Sequence, residues 1–175
     1  MLVSGLLATG KSTLGGLLAD RIGAVTLSRD LAVAQMDGLL AGFDRLAAQL
    51  RGRRRRPFQE RADRWLVGAV GVALGAGRTV VVEVVADADL RRWLEALAQH
   101  HRAQFFAVEM VCSDRDEHLR RLRGRFVRWE RALRGLPHSY KPAPGALTLD
   151  SAKASAELLE PTADLARRLT PSSEA

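Results

Sequence analysis

The chain of 175 residues carries 27 Lys and Arg against 20 Asp and Glu, for a formal net charge of +7, and 47% of it is hydrophobic. That length suits one domain, spanning 1–175, and that composition can bury a core and excludes a disordered chain. An aromatic share of 5% excludes a base-stacking platform, and a single cysteine, Cys112, excludes a disulfide scaffold or a multi-cysteine zinc site.

Met1 to Val3 reads as a very short first strand. Behind it, Gly5-Leu6-Leu7-Ala8-Thr9-Gly10-Lys11-Ser12 fits G-x-x-x-x-G-K-[ST] at every fixed position. The chemistry explains the spacing. Gly5 turns the chain off the strand, and Gly10 lets the backbone wrap a phosphate without a Cβ in the way. The amides of Leu7, Ala8, Thr9, Gly10, Lys11, Ser12 and Thr13 then form an anion cradle at a helix N-terminus. Lys11 reaches the outer phosphates and the Ser12 hydroxyl ligates Mg²⁺. This predicts a Walker A nucleotide loop, with ATP and Mg²⁺ as its ligands.

Lys11 to Ile22 has Leu14, Leu17, Leu18 and Ile22 at helical spacing. Ala24 to Leu27 is a second short strand, and it runs into Ser28, Arg29 and Asp30. A carboxylate at this strand end, across from the loop, can take the proton of an attacking hydroxyl. Ser28 or Asp30 can equally well cap the helix that follows. That helix is expected over Asp30 to Leu50, and a second over Phe58 to Ala76, its glycines allowing close packing on the sheet. Between them, Arg53 to Arg56 makes a solvated turn or a contact for an anionic partner.

Thr79 to Val85 is β-branched and apolar on both faces, as a buried parallel strand should be. Glu83 interrupts it. A buried acid needs a reason, either a metal or substrate at the strand's carboxyl end or an arginine partner there. Ala88 to His100 is a helix, Gln104 to Val111 a strand, and Ser113 or Asp114 caps a helix toward Arg123. Basic sequence continues to Arg134. Arg121 and Arg125 share one helical face and suit the charge on a transferring phosphoryl group, with Arg128 next. Ala146 to Leu149 is a last strand and Ser151 to Leu169 a last helix. His100, His101, His118 and His138 show no ligand spacing, and Trp65, Trp93 and Trp129 are expected to pack.

Five strands alternating with helices predict a three-layer α/β/α sandwich with a parallel sheet. The longest apolar stretch, Leu66 to Gly77, is about half of the roughly 20 residues a membrane span needs. Lys11 interrupts the apolar N-terminus, so neither a secretory leader nor a membrane partner is expected. The single thiol fits a reducing cytoplasm.

Val3-Ser4-Gly5, Gly10 to Leu14, Val25-Thr26-Leu27-Ser28-Arg29-Asp30, Val80 to Glu83 and Leu119 to Arg125 together resemble the P-loop small-molecule kinases. These include gluconate kinase, chloramphenicol phosphotransferase, the zeta toxins and the kinase domain of polynucleotide kinase. The resemblance implies a sheet in the order 2-3-1-4-5 and a catalytic base at Asp30. It also implies substrate-binding helices over about 30–76 and a helical lid over about 120–140 that carries Arg121, Arg125 and Arg128. ATP, Mg²⁺ and a hydroxyl of a small molecule (an antibiotic, nucleoside or sugar) would be the ligands of a monomer or homodimer. In that assignment Lys11, Asp30, Arg121 and Arg125 are catalytic, and Arg125 also touches the nucleotide. Asp30, Glu83 and Arg128 face the acceptor, and Ser12 and Glu83 hold the metal. A polynucleotide 5′-hydroxyl kinase, or a regulatory nucleotide-binding protein without an acceptor, is the alternative. Ala8 stands where a glycine is common, Glu83 where aspartate is usual, and Val33 where polynucleotide kinases carry arginine.

Overall fold

The computed structural model describes residues 1–31, 56–85, 88–125, 144–152 and 155–169. Its strands are β1 (Leu2–Gly5), β2 (Val25–Ser28), β3 (Val80–Glu83), β4 (Ala107–Val111) and β5 (Leu147–Asp150). They form one five-stranded sheet in the order β2-β3-β1-β4-β5, every pairing parallel. The described helices are α1 (Lys11–Ile22), α2 (Arg56–Gly75), α3 (Ala88–His100), α4 (Arg115–Arg125) and α5 (Ser155–Leu169).

Alternation along the strands divides the core between two faces. Val3, Val81 and Val108 point to one side, where Leu14 and Leu18 of α1 and Leu165 of α5 meet them. Leu2, Val80 and Val82 point to the other, against Leu66 and Val70 of α2 and Leu90 and Leu94 of α3. The result is the expected three-layer sandwich. The central strands β1 and β3 are buried throughout, so both faces are covered, and Ser4 and Glu83 are the polar exceptions in otherwise apolar sequence.

Register places the chemistry. Val3 of β1 lies opposite Glu83 of β3, and Ser4 opposite Glu109 of β4. Since neighbouring residues of β1 point oppositely, Glu83 is on the α1 face and Glu109 on the α3 face. The carboxyl ends of β1, β2 and β3 come together in one row, where ligands of open α/β sheets bind.

Several expectations need adjusting. Every strand is shorter than or offset from its sequence span, most clearly β4, expected from Gln104 and observed from Ala107. Leu17, placed on the apolar face of α1, is 46% exposed, because the sheet covers the Leu14–Leu18 side. The α2 glycines do not pack on the sheet. A Cβ on Gly71 would meet Leu97 of α3 at 3.6 Å, and one on Gly68 would meet nothing within 4 Å. Trp65 packs against the α2–α3 core, but Trp93 is 49% exposed, beside Glu60, Arg64 and Val67. The helix expected over Asp30 to Leu50 begins at the end of β2, and residues 32–55 lie outside the described set, as do Arg53 to Arg55 and most of the expected lid.

Leu66 has no exposed surface, so Leu66→Ala should lower the unfolding free energy by about 2–5 kcal/mol. Leu17→Ala should change it by about 0.5 kcal/mol or less. Urea denaturation of both variants checks the contrast.

Candidate functional site

The loop from Gly5 to Ser12 leaves β1 at a point where only glycine fits. A Cβ on Gly5 would run into the Met110 carbonyl and stand 2.9 Å from Thr9 Oγ1. Ala8 and Gly10 both have positive φ, 61° and 88°, which alternates the direction of successive peptide groups and gathers N–H groups on the inner side. Two donors bind the Leu6 carbonyl, Thr9 Oγ1 at 2.9 Å and Lys11 Nζ at 2.5 Å. Gly10 is the N-cap of α1 and brings no side chain to the first-turn amides, and no acid occupies that turn. The first turn of the helix thus carries no acid of its own and no side-chain cap, a setting that favours phosphate.

Glu83 faces this helix. Its carboxylate hydrogen-bonds the Ser12 side chain and lies in the field of Lys11 and Asp30. Burial raises its pKa above the ordinary carboxylate value. The Ser12 bond and Lys11 pull it down and Asp30 pushes it up, and burial prevails. It fits because α1 is notched there. A Cβ on Gly15 would come within 2.8 Å of Glu83 Cδ and 2.9 Å of its Cγ. Ser12 and Glu83 make a pair of hard oxygen donors that suits Mg²⁺, a cation commonly held by one or two protein oxygens plus phosphate and water. Among the described residues no cluster of three or more His, Cys, Asp and Glu side chains forms a ready-made metal cage.

At the end of β2 the two sequence readings separate. Ser28 takes the cap, its Oγ accepting from Leu31 N at 3.0 Å. Asp30 is exposed. Arg29 turns the other way, its Nε donating to Asp63 Oδ1 of α2 at 2.6 Å in a largely buried ion pair. That pair ties the strand end carrying Asp30 to α2.

On the other flank, Asp114 caps α4, its Oδ1 accepting from the amides of Asp116 and Glu117 at 2.9 and 3.0 Å. Glu117 accepts from both Arg120 and Arg121, which hold its pKa down at about 2. Arg121 also donates through both terminal nitrogens to Ser151, to Oγ and to the backbone carbonyl, each at 2.9 Å. Ser151 in turn abuts the loop, with 3.6 Å between its Cβ and a Cβ placed on Gly10. The structure thus brings together Lys11, Ser12, Asp30 and Glu83, and sets Arg121 beside the loop through Ser151. The Arg125 side chain and all of Arg128 lie outside the described residues.

Three residues escaped the sequence reading. His118 of α4 bonds the Leu7 carbonyl at 2.6 Å. Gly15 makes room for Glu83. Glu109 is buried on β4 and accepts from Ser4 Oγ at 3.3 Å. Its signal, one acid in an apolar strand, is the signal that singled out Glu83.

The family model described as an AAA domain matches residues 1–133. The chain belongs to that AAA-domain family. Among solved structures it is similar to a Chloroflexus aurantiacus protein provisionally named a kinase, with 21% identity and TM-score 0.67, covering 97% of each chain. It is also similar to a sugar kinase from Janibacter sp. HTCC2649, with 17% identity and TM-score 0.65, covering 97% of this chain and 94% of that one. A gluconokinase from Sinorhizobium meliloti 1021 aligns at 21% identity and TM-score 0.52, covering 96% and 91%. No curated protein matches the sequence. The AAA-domain chain therefore has the P-loop kinase fold. Among its described residues no helix is long and apolar enough to cross a membrane.

Gly15→Ala should push Glu83 off Ser12 and destabilise the AAA-domain fold by about 1–3 kcal/mol. Gly16→Ala meets nothing within 4 Å and should be neutral or stabilising by up to about 1 kcal/mol. Thermal melts of the pair test the notch. A second outcome follows from the raised Glu83 pKa. The folded state holds that proton more tightly than the unfolded chain, so the carboxyl group's contribution is most favourable at low pH and declines as pH rises through the raised value. Glu83→Gln should therefore melt higher than wild type at neutral pH, and the gap should close on acidification.

Proposed function

We propose that this chain is an ATP-dependent phosphotransferase acting on a hydroxyl group of a small molecule, and that 1–175 works as one kinase domain in a reducing, cytoplasmic setting. The observation that carries this reading is the meeting of Lys11, Ser12, Glu83 and Asp30 at the carboxyl edge of the sheet. The kinase names of the structural neighbours support it.

The loop amides and the α1 N-terminus bind the phosphates of ATP. Lys11 leaves the Leu6 carbonyl for the outer phosphates, and Thr9 keeps its own bond to that carbonyl. Ser12 and Glu83 would hold Mg²⁺, which would supply charge neutralisation at the phosphate oxygens. The acceptor hydroxyl enters between the γ-phosphoryl and Asp30. Asp30 takes the hydroxyl proton as the oxygen attacks phosphorus, and ADP leaves on the opposite side. Asp30 lies at the exposed rim, beside the ion pair that fixes its strand end, so it can meet an incoming substrate without burying a second carboxylate beside Glu83. By the family resemblance, Arg121, Arg125 and Arg128 would supply positive charge to the transferring group and the acceptor.

Asp30→Asn should keep ATP affinity and lose phosphoryl transfer by about 10²- to 10⁴-fold. Lys11→Ala should weaken nucleotide binding itself. ATP titration, together with detection of phosphorylated product from a panel of small alcohols, checks both. Full transfer by Asp30→Asn would remove the base assignment.

A further inference from the structure

We propose that His118 is a positioning residue of the nucleotide cradle, and that it acts by holding the Leu7 carbonyl from outside the loop. The inference rests on the reading of Gly5 to Ser12 as a nucleotide loop and extends it to a residue beyond that loop.

The contact is long-range. His118 is on α4, 111 positions from Leu7, and its Nε2 stands 2.6 Å from the Leu7 carbonyl oxygen. A carbonyl can only accept, so Nε2 carries the proton. The bond fixes more than one atom. A trans peptide group is planar, with its N–H directed opposite its C=O. Holding the Leu7 oxygen therefore also fixes the direction of the Ala8 N–H, which points the opposite way.

The neighbouring backbone needs that support. Ala8 has φ 61° and is buried, in a region that disfavours any residue with a Cβ. The Leu6–Leu7 peptide has its own restraint in the Thr9 and Lys11 bonds to the Leu6 carbonyl, but one of those donors must leave when phosphate arrives. His118 is not needed on the phosphate, so its bond can persist in both states.

His118 is itself held in place. Its backbone N–H donates to the Asp114 carbonyl at 3.0 Å in the first turn of α4. One turn further on, Arg121 fastens the same helix to Ser151, and Ser151 sits against Gly10. Helix α4 thus braces the loop at both ends, directly at Leu7 and through Ser151 at Gly10. The brace sets the shape of the cradle before nucleotide binds, so its loss falls on nucleotide affinity rather than on the acceptor.

The test is equilibrium binding of a fluorescent ATP analogue, displaced by ATP, on the full chain. His118→Ala should raise the nucleotide dissociation constant about three- to tenfold, the range set by one net hydrogen bond. His118→Gln carries an amide nitrogen the same number of bonds from Cα, and it should stay within about twofold of wild type. His118→Met, of similar size but with no donor, should behave as His118→Ala and serves if the alanine variant does not fold. The rise in melting temperature on adding ATP should shrink in the donor-less variants and return with Gln. Any kinase activity should show a higher KM for ATP at little-changed KM for the acceptor. Wild-type affinity in both His118→Ala and His118→Met, or a Gln variant as weak as Met, overturns the inference alone. A wild-type protein that binds no nucleotide overturns the reading of the loop and the inference with it.

Discussion

The buried carboxylate of Glu83 constrains the rest of the site. An ionised acid inside a parallel sheet is costly unless oxygen and nitrogen donors or a cation meet it. Here the strand end delivers it against a helix with no side chain at Gly15, and the Ser12 hydroxyl and Lys11 charge come from the first turn of that same helix. Burial still prevails over those partners, and Glu83 stays harder to ionise than a free carboxyl. Such a group gains most from a divalent cation, so the local cost in stability and the proposed metal role have one origin.

The two flanks of the loop are secured by different physics. On the β2 side a largely buried ion pair, Arg29 with Asp63, joins the strand end to α2. It leaves Asp30 exposed at the rim. On the β5 side the links are hydrogen bonds to backbone carbonyls, His118 to Leu7 and Arg121 to Ser151. An ion pair thus fixes the strand end where a proton would move, and hydrogen bonds to carbonyls fix backbone geometry where phosphate would bind.

What could be read in the sequence was mainly what is local or periodic. The Gly5 to Ser12 spacing is contiguous, and the β-branched run ending in Glu83 shows a buried strand and its odd residue together. Strand order followed from the resemblance, and the observed order agrees. Gly15 and His118 were not legible, because each matters only through a partner far along the chain, Glu83 and Leu7. Leu17 and Trp93 look like core residues by type, yet which side of a helix meets the sheet depends on packing angles that periodicity leaves open. Glu109 is legible by the argument used for Glu83, as one acid in an apolar strand, but that strand is less strongly β-branched than Val80 to Val82.

The methyl group of Ala8 has one more consequence. A glycine at the loop apex would sample both signs of φ and could collapse into several shapes when the phosphate is gone. An alanine samples fewer conformations, and this one stands at φ 61° against its own preference because the bonds on either side of it hold it there. Ordering such a loop around its ligand forfeits little conformational entropy, and recognition by this fold inclines toward lock-and-key rather than moulding.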